Sequence, residues 1–135
     1  MNGTMFARVK SYLLLLMIMV VVAGCIKEGN SINRPAAPVV NATAPTNGAT
    51  GVFLNDAIAV FFSKEMNPAS INATTFTVSS NTGAVAGTIS VNGASAVFKP
   101  AAQLTPSTTF TVTITRLAQD TSGIPLVSDF TWTFT

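Results

Sequence analysis

Residues 109–115 read TFTVTIT, in which threonines alternate strictly with large apolar residues. Successive side chains of a β-strand point to opposite faces, so this alternation predicts a strand with one buried apolar face and one exposed hydroxyl face. Residues 129–135 read DFTWTFT and repeat the pattern. Both stretches therefore predict half-buried strands of an antiparallel sheet.

The same kind of pattern extends over the chain from Pro38 to Thr135, where short apolar and threonine-rich runs are separated by turn signals about every 8 to 12 residues. This spacing predicts an all-β fold, an Ig-like seven-stranded antiparallel β-sandwich. The predicted strands are an edge strand at residues 38–43 and six others at residues 58–62, 76–78, 85–91, 96–98, 109–115 and 129–135.

Three local signals mark the connections between these strands. The run Asn67-Pro68-Ala69-Ser70 combines a helix-capping residue with proline at the first helical position and predicts one short turn of helix. Asn92-Gly93 predicts a tight hairpin because both residues tolerate positive φ. The run Asp120-Thr121-Ser122-Gly123 predicts the turn before the closing strand.

Composition excludes several functional classes. The chain has no histidine and a single cysteine, so it has no Ser-His or Cys-His pair and no intramolecular disulfide. No Gly-x-Ser-x-Gly or Ser-x-x-Lys spacing offers an activated nucleophile. We therefore predict no catalytic residue, no metal site, no cofactor and no enzymatic activity.

The charge pattern argues against nucleic-acid binding. The net charge of +2 arises upstream of Leu13, where Arg8 and Lys10 lie. Beyond Gly24 the acidic and basic residues balance and are scattered along the chain, without the basic patch that nucleic acid requires. These residues are Lys27, Arg34, Lys64, Lys99 and Arg116 against Glu28, Asp56, Glu65, Asp120 and Asp129.

The N-terminal segment has the layout of an export signal. Basic residues precede ten consecutive large apolar residues, Leu13 to Val22, and small residues follow. Even counted to Ile26, this apolar stretch would reach only about 21 Å as a helix. A membrane-spanning helix must cross about 30 Å, so residues 1–24 are predicted to be a helical signal peptide rather than an anchor.

The signal segment ends in Val22-Ala23-Gly24-Cys25, which resembles the lipobox of bacterial lipoproteins. The resemblance implies cleavage before Cys25, attachment of a diacylglyceryl group to its sulfur, and acylation of the new amine by a fatty acid such as palmitate. It also implies that the membrane is a partner through the lipid on Cys25. The alternative is an ordinary export signal followed by an incidental free cysteine.

The residues after Cys25 predict how the domain is held. Ile26 resembles the pattern that is sorted to the outer membrane in enteric bacteria, so the implied location is the cell envelope, on the outer membrane in a Gram-negative cell. Residues 26–37 read IKEGNSINRPAA and predict a flexible tether. The predicted divisions are therefore 1–24 signal peptide, 25–37 lipidated cysteine and tether, and 38–135 domain.

The domain is similar to the bacterial Ig-like domains of the SbsA type, named for a surface-layer protein. The resemblance implies a module of cell-surface proteins that acts as a spacer, a stalk or the partner of another domain, and it supplies no catalytic residues. It rests on an ordered set of short pieces: Pro45, Asn47-Gly48, Gly51-Val52, residues 58–68 (IAVFFSKEMNP), Phe76-Thr77-Val78, Gly87-Thr88, Phe98-Lys99-Pro100, Leu104, residues 108–112 (TTFTV), Asp120, Gly123, Leu126 and residues 132–135 (WTFT).

Two individual positions have competing interpretations. Asp120 either caps its own turn or contributes to a calcium site, which needs six to eight oxygens. Trp132 either packs in the core, as its period with Phe130 and Phe134 predicts, or stacks on a sugar. For both residues the structural interpretation is the one that we predict.

Two surfaces could engage partners. Phe61 and Val97 break the alternation of their strands and could form an exposed apolar patch for an envelope protein. The outward threonines from Thr109 and from Thr131 could instead bind a surface glycan, another polymer or ice. The leading prediction is a structural, spacer or interaction role at the envelope, with ligand binding or service as the first module of a longer surface protein as alternatives.

Overall fold

The computed structural model describes residues 34–135. The predicted signal peptide, the lipobox residues Val22, Ala23 and Gly24, the lipid site Cys25 and the tether up to residue 33 lie outside the described residues. Within residues 34–135 no helix is both long enough and apolar enough to cross a membrane. Residues 34–39, which include the last part of the predicted tether, form no regular secondary structure.

The described chain forms two four-stranded antiparallel sheets. The first sheet has the strand order β1-β2-β6-β5, and the second has the order β4-β3-β7-β8. The strands are β1 Val40–Ala44, β2 Ile58–Phe62, β3 Phe76–Ser80, β4 Gly83–Ala84, β5 Gly87–Asn92, β6 Ser95–Pro100, β7 Phe110–Ile114 and β8 Phe130–Phe134. This arrangement confirms the predicted all-β sandwich and places β1 at an edge.

A single apolar core lies between the sheets. It is built by the inward positions of alternating strands, such as Ile58, Val60 and Phe62 in β2. Aromatic rings from both sheets meet there, since the ring centroids of Phe76 and Phe98 lie 5.8 Å apart. Burial of this apolar area is the main stabilising term of the fold, because the chain contains no disulfide.

The structure divides the predicted fourth strand, residues 85–91, between the two sheets. Gly83–Ala84 form β4 and pair with β3, whereas β5 begins at Gly87 and pairs with β6 in the opposite sheet. The chain crosses between the sheets at Val85 and Ala86. Side chains alternate in the same way in either sheet, so the sequence pattern could not reveal the crossing. Residues 34–135 form eight strands rather than the predicted seven.

Gly87 is required at the start of β5 because the strand packs directly on β6. A Cβ atom added to Gly87 would lie 2.4 Å from Cζ of Phe98 and 2.6 Å from the carbonyl oxygen of Lys99. Both distances are far below ordinary van der Waals contact. Glycine therefore allows the chain to enter the first sheet over the ring of Phe98.

The predicted hairpin and helical turn are both present. The hairpin joins β5 to β6, but Asn92 pairs with Ser95, so the two loop residues are Gly93 and Ala94. Gly93 has φ of 55° and Asn92 is not among the residues with positive φ. This fits a type II′ turn, which needs positive φ at its first central residue only. The helical turn, a 3₁₀ helix at Pro68–Ser70, is capped by its preceding asparagine as predicted.

Phe130 departs from the predicted core. Its side chain is 36% exposed, whereas Trp132 and Phe134 of the same strand are 1% exposed. Phe130 is the first residue of β8, which lies at the edge of the second sheet, and its ring is tilted against that of Trp132 at a centroid distance of 5.8 Å. Alternation identified the correct face of the strand but not the point at which the sandwich ends.

The sandwich has two distinct ends. At the tether end, Val39 is hydrogen-bonded to Ser63, and Met66, which follows Ser63 closely in sequence, forms a bridge with Asp120. At the far end, the loop that follows β1 runs beside Thr133 to Thr135. The described chain therefore begins at one end of the sandwich and reaches Thr135 at the other.

Candidate functional site

The outward face of the second sheet is a regular array of hydroxyl groups. Strand register aligns them in rows across β3, β7 and β8, because the three strands are adjacent and all their outward positions are threonine or serine. One row contains Thr77, Thr113 and Thr131. The next contains Ser79, Thr111 and Thr133, and Thr109 and Thr135 lie beyond it at the far end. We call these eight residues the threonine face.

The spacing of the threonine face follows from sheet geometry. Neighbouring strands lie about 4.8 Å apart, and outward residues on one strand repeat about every 6.7 Å. Some hydroxyls pair with each other: the Oγ1 atoms of Thr113 and Thr131 are 3.2 Å apart. Four members of the face are exposed and the other four are half-buried; the exposed ones are Thr77, Thr109, Thr131 and Thr135.

The chemistry of the threonine face is neutral. The strands β3, β7 and β8 contain no charged residue, so the face presents only hydroxyls, methyl groups and backbone. A hydroxyl both donates and accepts a hydrogen bond, which suits an uncharged hydroxyl-rich ligand. Such a face has no acid or base for catalysis and no carboxylate for a cation.

Asp120 is a buried structural residue at the tether end. Its Oδ1 atom accepts hydrogen bonds from the backbone N–H groups of Ser122 and Ile124, both at 2.9 Å. Its Oδ2 atom lies 3.6 Å from Nζ of Lys64, which also donates to the carbonyl oxygen of Ala36. The prediction that Asp120 caps its own turn is confirmed.

These contacts do not favour the calcium interpretation of Asp120. One carboxylate oxygen already accepts two backbone N–H groups, and the other faces an ammonium group. Calcium requires several oxygen ligands around one point. Within the part of the chain that the structure describes, no group of three or more potential metal-ligating side chains occurs.

The predicted apolar patch on the first sheet is small. Phe61 is 44% exposed on the outward face, as predicted, but Val97 is half-buried. Their cross-strand neighbours on this face are small: Ala42 and Ser95 lie beside Phe61, and Ala59 and Ser90 lie beside Val97. The patch is thus one exposed phenylalanine surrounded by small residues.

Other exposed apolar residues were not predicted. Leu117 and Val127 lie at the tether end, where Ala118 and Leu126 are joined by a backbone hydrogen bond and are both buried. Leu117 and Val127 flank this buried pair and point away from the core. Their exposure follows from the conformation of the loop, which has no strand alternation that the sequence could reveal.

A shallow depression at the far end contains no catalytic group. Its walls include Val52, Leu54, Leu104 and Phe110, and none of its lining residues has a titratable side chain. Trp132 is buried in the core as predicted and is not available for stacking on a sugar. Among the described residues, the surface with a repeated and directional chemistry is therefore the threonine face.

The two packed antiparallel sheets define an immunoglobulin-like β-sandwich. The sequence pattern of the family described as "Bacterial Ig-like domain" matches residues 34–135. The chain belongs to the bacterial Ig-like domain family. This match also confirms the resemblance that the sequence predicted for residues 38–135 at the level of the Ig-like domain.

Solved structures with a similar fold come from surface-layer proteins. Domains 1–6 of surface layer protein SbsC superpose with a TM-score of 0.57 at 19% identity, over 75% of this chain and 14% of that one. The N-terminal part of the bacterial S-layer protein SbsC gives a TM-score of 0.56 at 19% identity, over 74% of this chain and 23% of that one. This chain thus spans less than a quarter of each, and the likeness shows the fold alone. No curated protein sequence matches the chain.

Proposed function

We propose that the protein is a lipid-anchored component of the bacterial cell envelope that presents one Ig-like domain as a structural spacer or interaction module. The observation that carries the proposal is the sequence Val22-Ala23-Gly24-Cys25, placed directly after an apolar block and shortly before the domain. The family match at residues 34–135 supplies the module. The proposed anchoring, envelope location and role are inferred from this succession.

The anchor has a clear physical basis. One acyl chain gives only marginal, reversible membrane binding, whereas two or more chains, at about 0.8 kcal/mol per buried CH₂, hold a protein stably on a bilayer. A lipidated Cys25 would carry such chains. The stretch from Cys25 to Arg34 spans at most about 30 Å when fully extended. The domain would therefore stay close to the membrane surface.

A non-catalytic role agrees with the chemistry of the domain. The buried carboxylate of Asp120 serves its own turn and Lys64, and the threonine face carries no charge. The chain contains no histidine. The Ig-like domain is thus proposed to act through its shape and surface.

The lipid site gives the first prediction. Cys25→Ala should leave the full precursor uncleaved and unlipidated, because the modifying enzymes act on the cysteine sulfur. The precursor mass and the absence of incorporated labelled fatty acid would be measured in fractionated cells. Ser31→Ala, in the predicted tether, is the matched control and should be processed normally. If Cys25→Ala is cleaved and partitions like the parent protein, the lipoprotein proposal is wrong and the ordinary export signal is correct.

A second candidate function is binding of a neutral polymer, such as an envelope polysaccharide, by the threonine face. The observation that favours it is the alignment of hydroxyls in rows across three adjacent strands, without a charge on any of them. Threonine also suits exposed strands for its β-propensity alone. The experiment must therefore separate hydroxyl chemistry from strand stability.

Replacing Thr113 and Thr131 together by valine separates the two. Valine keeps the shape and the β-propensity but removes the hydroxyl pair, so stability should be retained. If the face binds a polysaccharide, two lost hydrogen bonds should weaken retention of the detergent-solubilised protein on immobilised envelope polysaccharide about tenfold. Thr88→Val, on β5 of the other sheet, should bind like the parent protein. Absence of retention for the parent protein would contradict this function.

A further inference from the structure

The described chain enters the sandwich at one end and reaches its last residue at the opposite end. Residues 34–39 meet the domain at the tether end, where Val39 exchanges hydrogen bonds with Ser63. β1 then runs antiparallel to β2 toward the far end. β8 runs in the same overall direction and brings Thr135 to that far end. A pull on Pro35 and on Thr135 would therefore stretch the sandwich from end to end.

A second contact joins the N-terminal part of the described chain to β8. After β1, residues 47–52 lie beside residues 133–135, and Ala49 and Phe134 form a parallel bridge. None of the predicted strands covers residues 47–52. We call residues 47–52 and 133–135 together the terminal clamp.

Four hydrogen bonds hold the terminal clamp. The N–H of Gly48 donates to the carbonyl oxygen of Thr133 at 2.7 Å, and the N–H of Thr135 donates to that of Ala49 at 2.8 Å. The N–H of Val52 donates to the carbonyl oxygen of Thr135 at 3.3 Å. The N–H of Thr133 donates to Oδ1 of Asn47 at 3.1 Å.

The two segments of the terminal clamp run parallel to each other, and this determines how force acts on the hydrogen bonds between them. Tension from the tether end pulls residues 47–52 backward along their axis, while tension on Thr135 pulls β8 forward. Hydrogen bonds between strands lie across the strand direction, so this tension loads them in shear and shares the force among them. Pulling the two segments directly apart would instead break the bonds one after another.

The contacts around the terminal clamp strengthen this geometry. Phe134 is buried in the core and stacks on Phe110 at a centroid distance of 5.4 Å, so β8 cannot slide without disturbing the core. At the tether end, the hydrogen bonds of Val39 with Ser63, together with the Lys64 contact to Ala36, must break before tension reaches residue 47. Tension thus meets the β1 contacts first and the terminal clamp second.

We propose that the domain is a tension-bearing element and that the terminal clamp is the structure that resists end-to-end force. The inference rests on the proposed function for its biological purpose, since a membrane anchor would supply one fixed end. The mechanical property itself belongs to residues 34–135 and is independent of lipidation.

Single-molecule force spectroscopy on the full chain tests the inference by pulling in two directions. The native thiol is removed by Cys25→Ser, and one handle is fixed after Thr135. In the first geometry the other handle is at the N-terminus, which shears the terminal clamp. In the second it is attached through Thr50→Cys, within the clamp, which peels residues 47–52 from β8. We expect a several-fold higher unfolding force in the first geometry, and equal or lower force there would overturn the proposal.

A variant assigns the resistance to the terminal clamp itself. Asn47→Ala removes the acceptor of the Thr133 N–H and should lower the end-to-end unfolding force while leaving the peeling force and the denaturant midpoint nearly unchanged. Asn81→Ala, in the turn after β3 and outside the clamp, should change none of them. An Asn47→Ala variant with unaltered end-to-end force would also count against the clamp. The chain used in these measurements has Cys25→Ser and therefore no sulfur to lipidate, so these outcomes are separate from the fate of Cys25→Ala in cells.

Discussion

Trp132→Ala is expected to lower the free energy of unfolding by about 3–5 kcal/mol, the range for large aromatic truncations in a core. Trp132 is 1% exposed and is the largest of the fully buried side chains in residues 34–135. It lies opposite Val112 in the second sheet and faces the interior. Removing its indole would open a cavity between the two sheets. Equilibrium unfolding in urea followed by circular dichroism measures the loss, since the variant lacks the chain's only tryptophan.

Two further variants show whether the loss comes from the core. The Nε1 atom of Trp132 is buried and has no hydrogen-bond partner among residues 34–135. Trp132→Phe removes this unpaired N–H, which by itself stabilises, and leaves a smaller cavity, so we expect a clearly smaller loss. Phe130→Ala, on the same strand but at its exposed end, should also cost less. A Trp132→Ala midpoint close to that of the parent protein would contradict the packing described for this core.

Asp120→Ala should lower the free energy of unfolding by about 2–3 kcal/mol. The substitution removes the acceptor of two backbone N–H groups, those of Ser122 and Ile124, and leaves Lys64 without its anion. Ile124 is half-buried, so its N–H would be poorly solvated. The turn would lose its closure and loosen the tether end. Urea unfolding followed by Trp132 fluorescence measures the change.

Asp120→Asn and Asp129→Ala are the matched comparisons. Asparagine keeps an oxygen that can accept both N–H groups but removes the charge, so we expect about 1 kcal/mol of loss. Asp129 also accepts one backbone N–H, that of Arg116 at 2.7 Å, but its side chain is exposed and water can replace it. Asp129→Ala should therefore have the smallest effect. If Asp129→Ala is as damaging as Asp120→Ala, burial is not what makes Asp120 important.

The sheet core was predictable because its signal is local. In β7 each inward residue is buried and each outward threonine is not, which is the pattern of residues 109–115. The 3₁₀ helix was predictable for a similar reason, since Asn67 and Pro68 act on their own backbone. Where one residue and its near neighbours determine the conformation, sequence reasoning was sufficient.

Features that depend on distant residues were not predictable. The crossing at Val85 and Ala86 depends on which sheet each neighbouring strand occupies. The alternation of side chains does not indicate which sheet a strand joins. Residues 47–52 contain turn signals that are typical of a loop. They nevertheless form hydrogen bonds with residues 133 and 135, which are distant from them in sequence. Phe130 has the right period for the core but lies where the sandwich ends.

The same distinction between local and long-range features applies to the candidate surfaces. The outward direction of Thr109, Thr111 and Thr113 followed from alternation, but their alignment with Thr77 and Thr131 requires the register of three strands. The cap formed by Asp120 was predicted from its turn, whereas its ion pair with Lys64 was not. The sequence thus predicted the chemistry of each residue, and the fold determined which residues act together.

Lipid anchoring at Cys25 can be tested by the intact mass of the wild-type protein isolated from the membrane fraction. We expect a chain that begins at Cys25 and is heavier than the polypeptide by a diacylglyceryl group, with or without a further acyl chain on its amine. A protein that still begins at its initiator methionine, or one that is cleaved elsewhere and carries an unmodified Cys25, would contradict it.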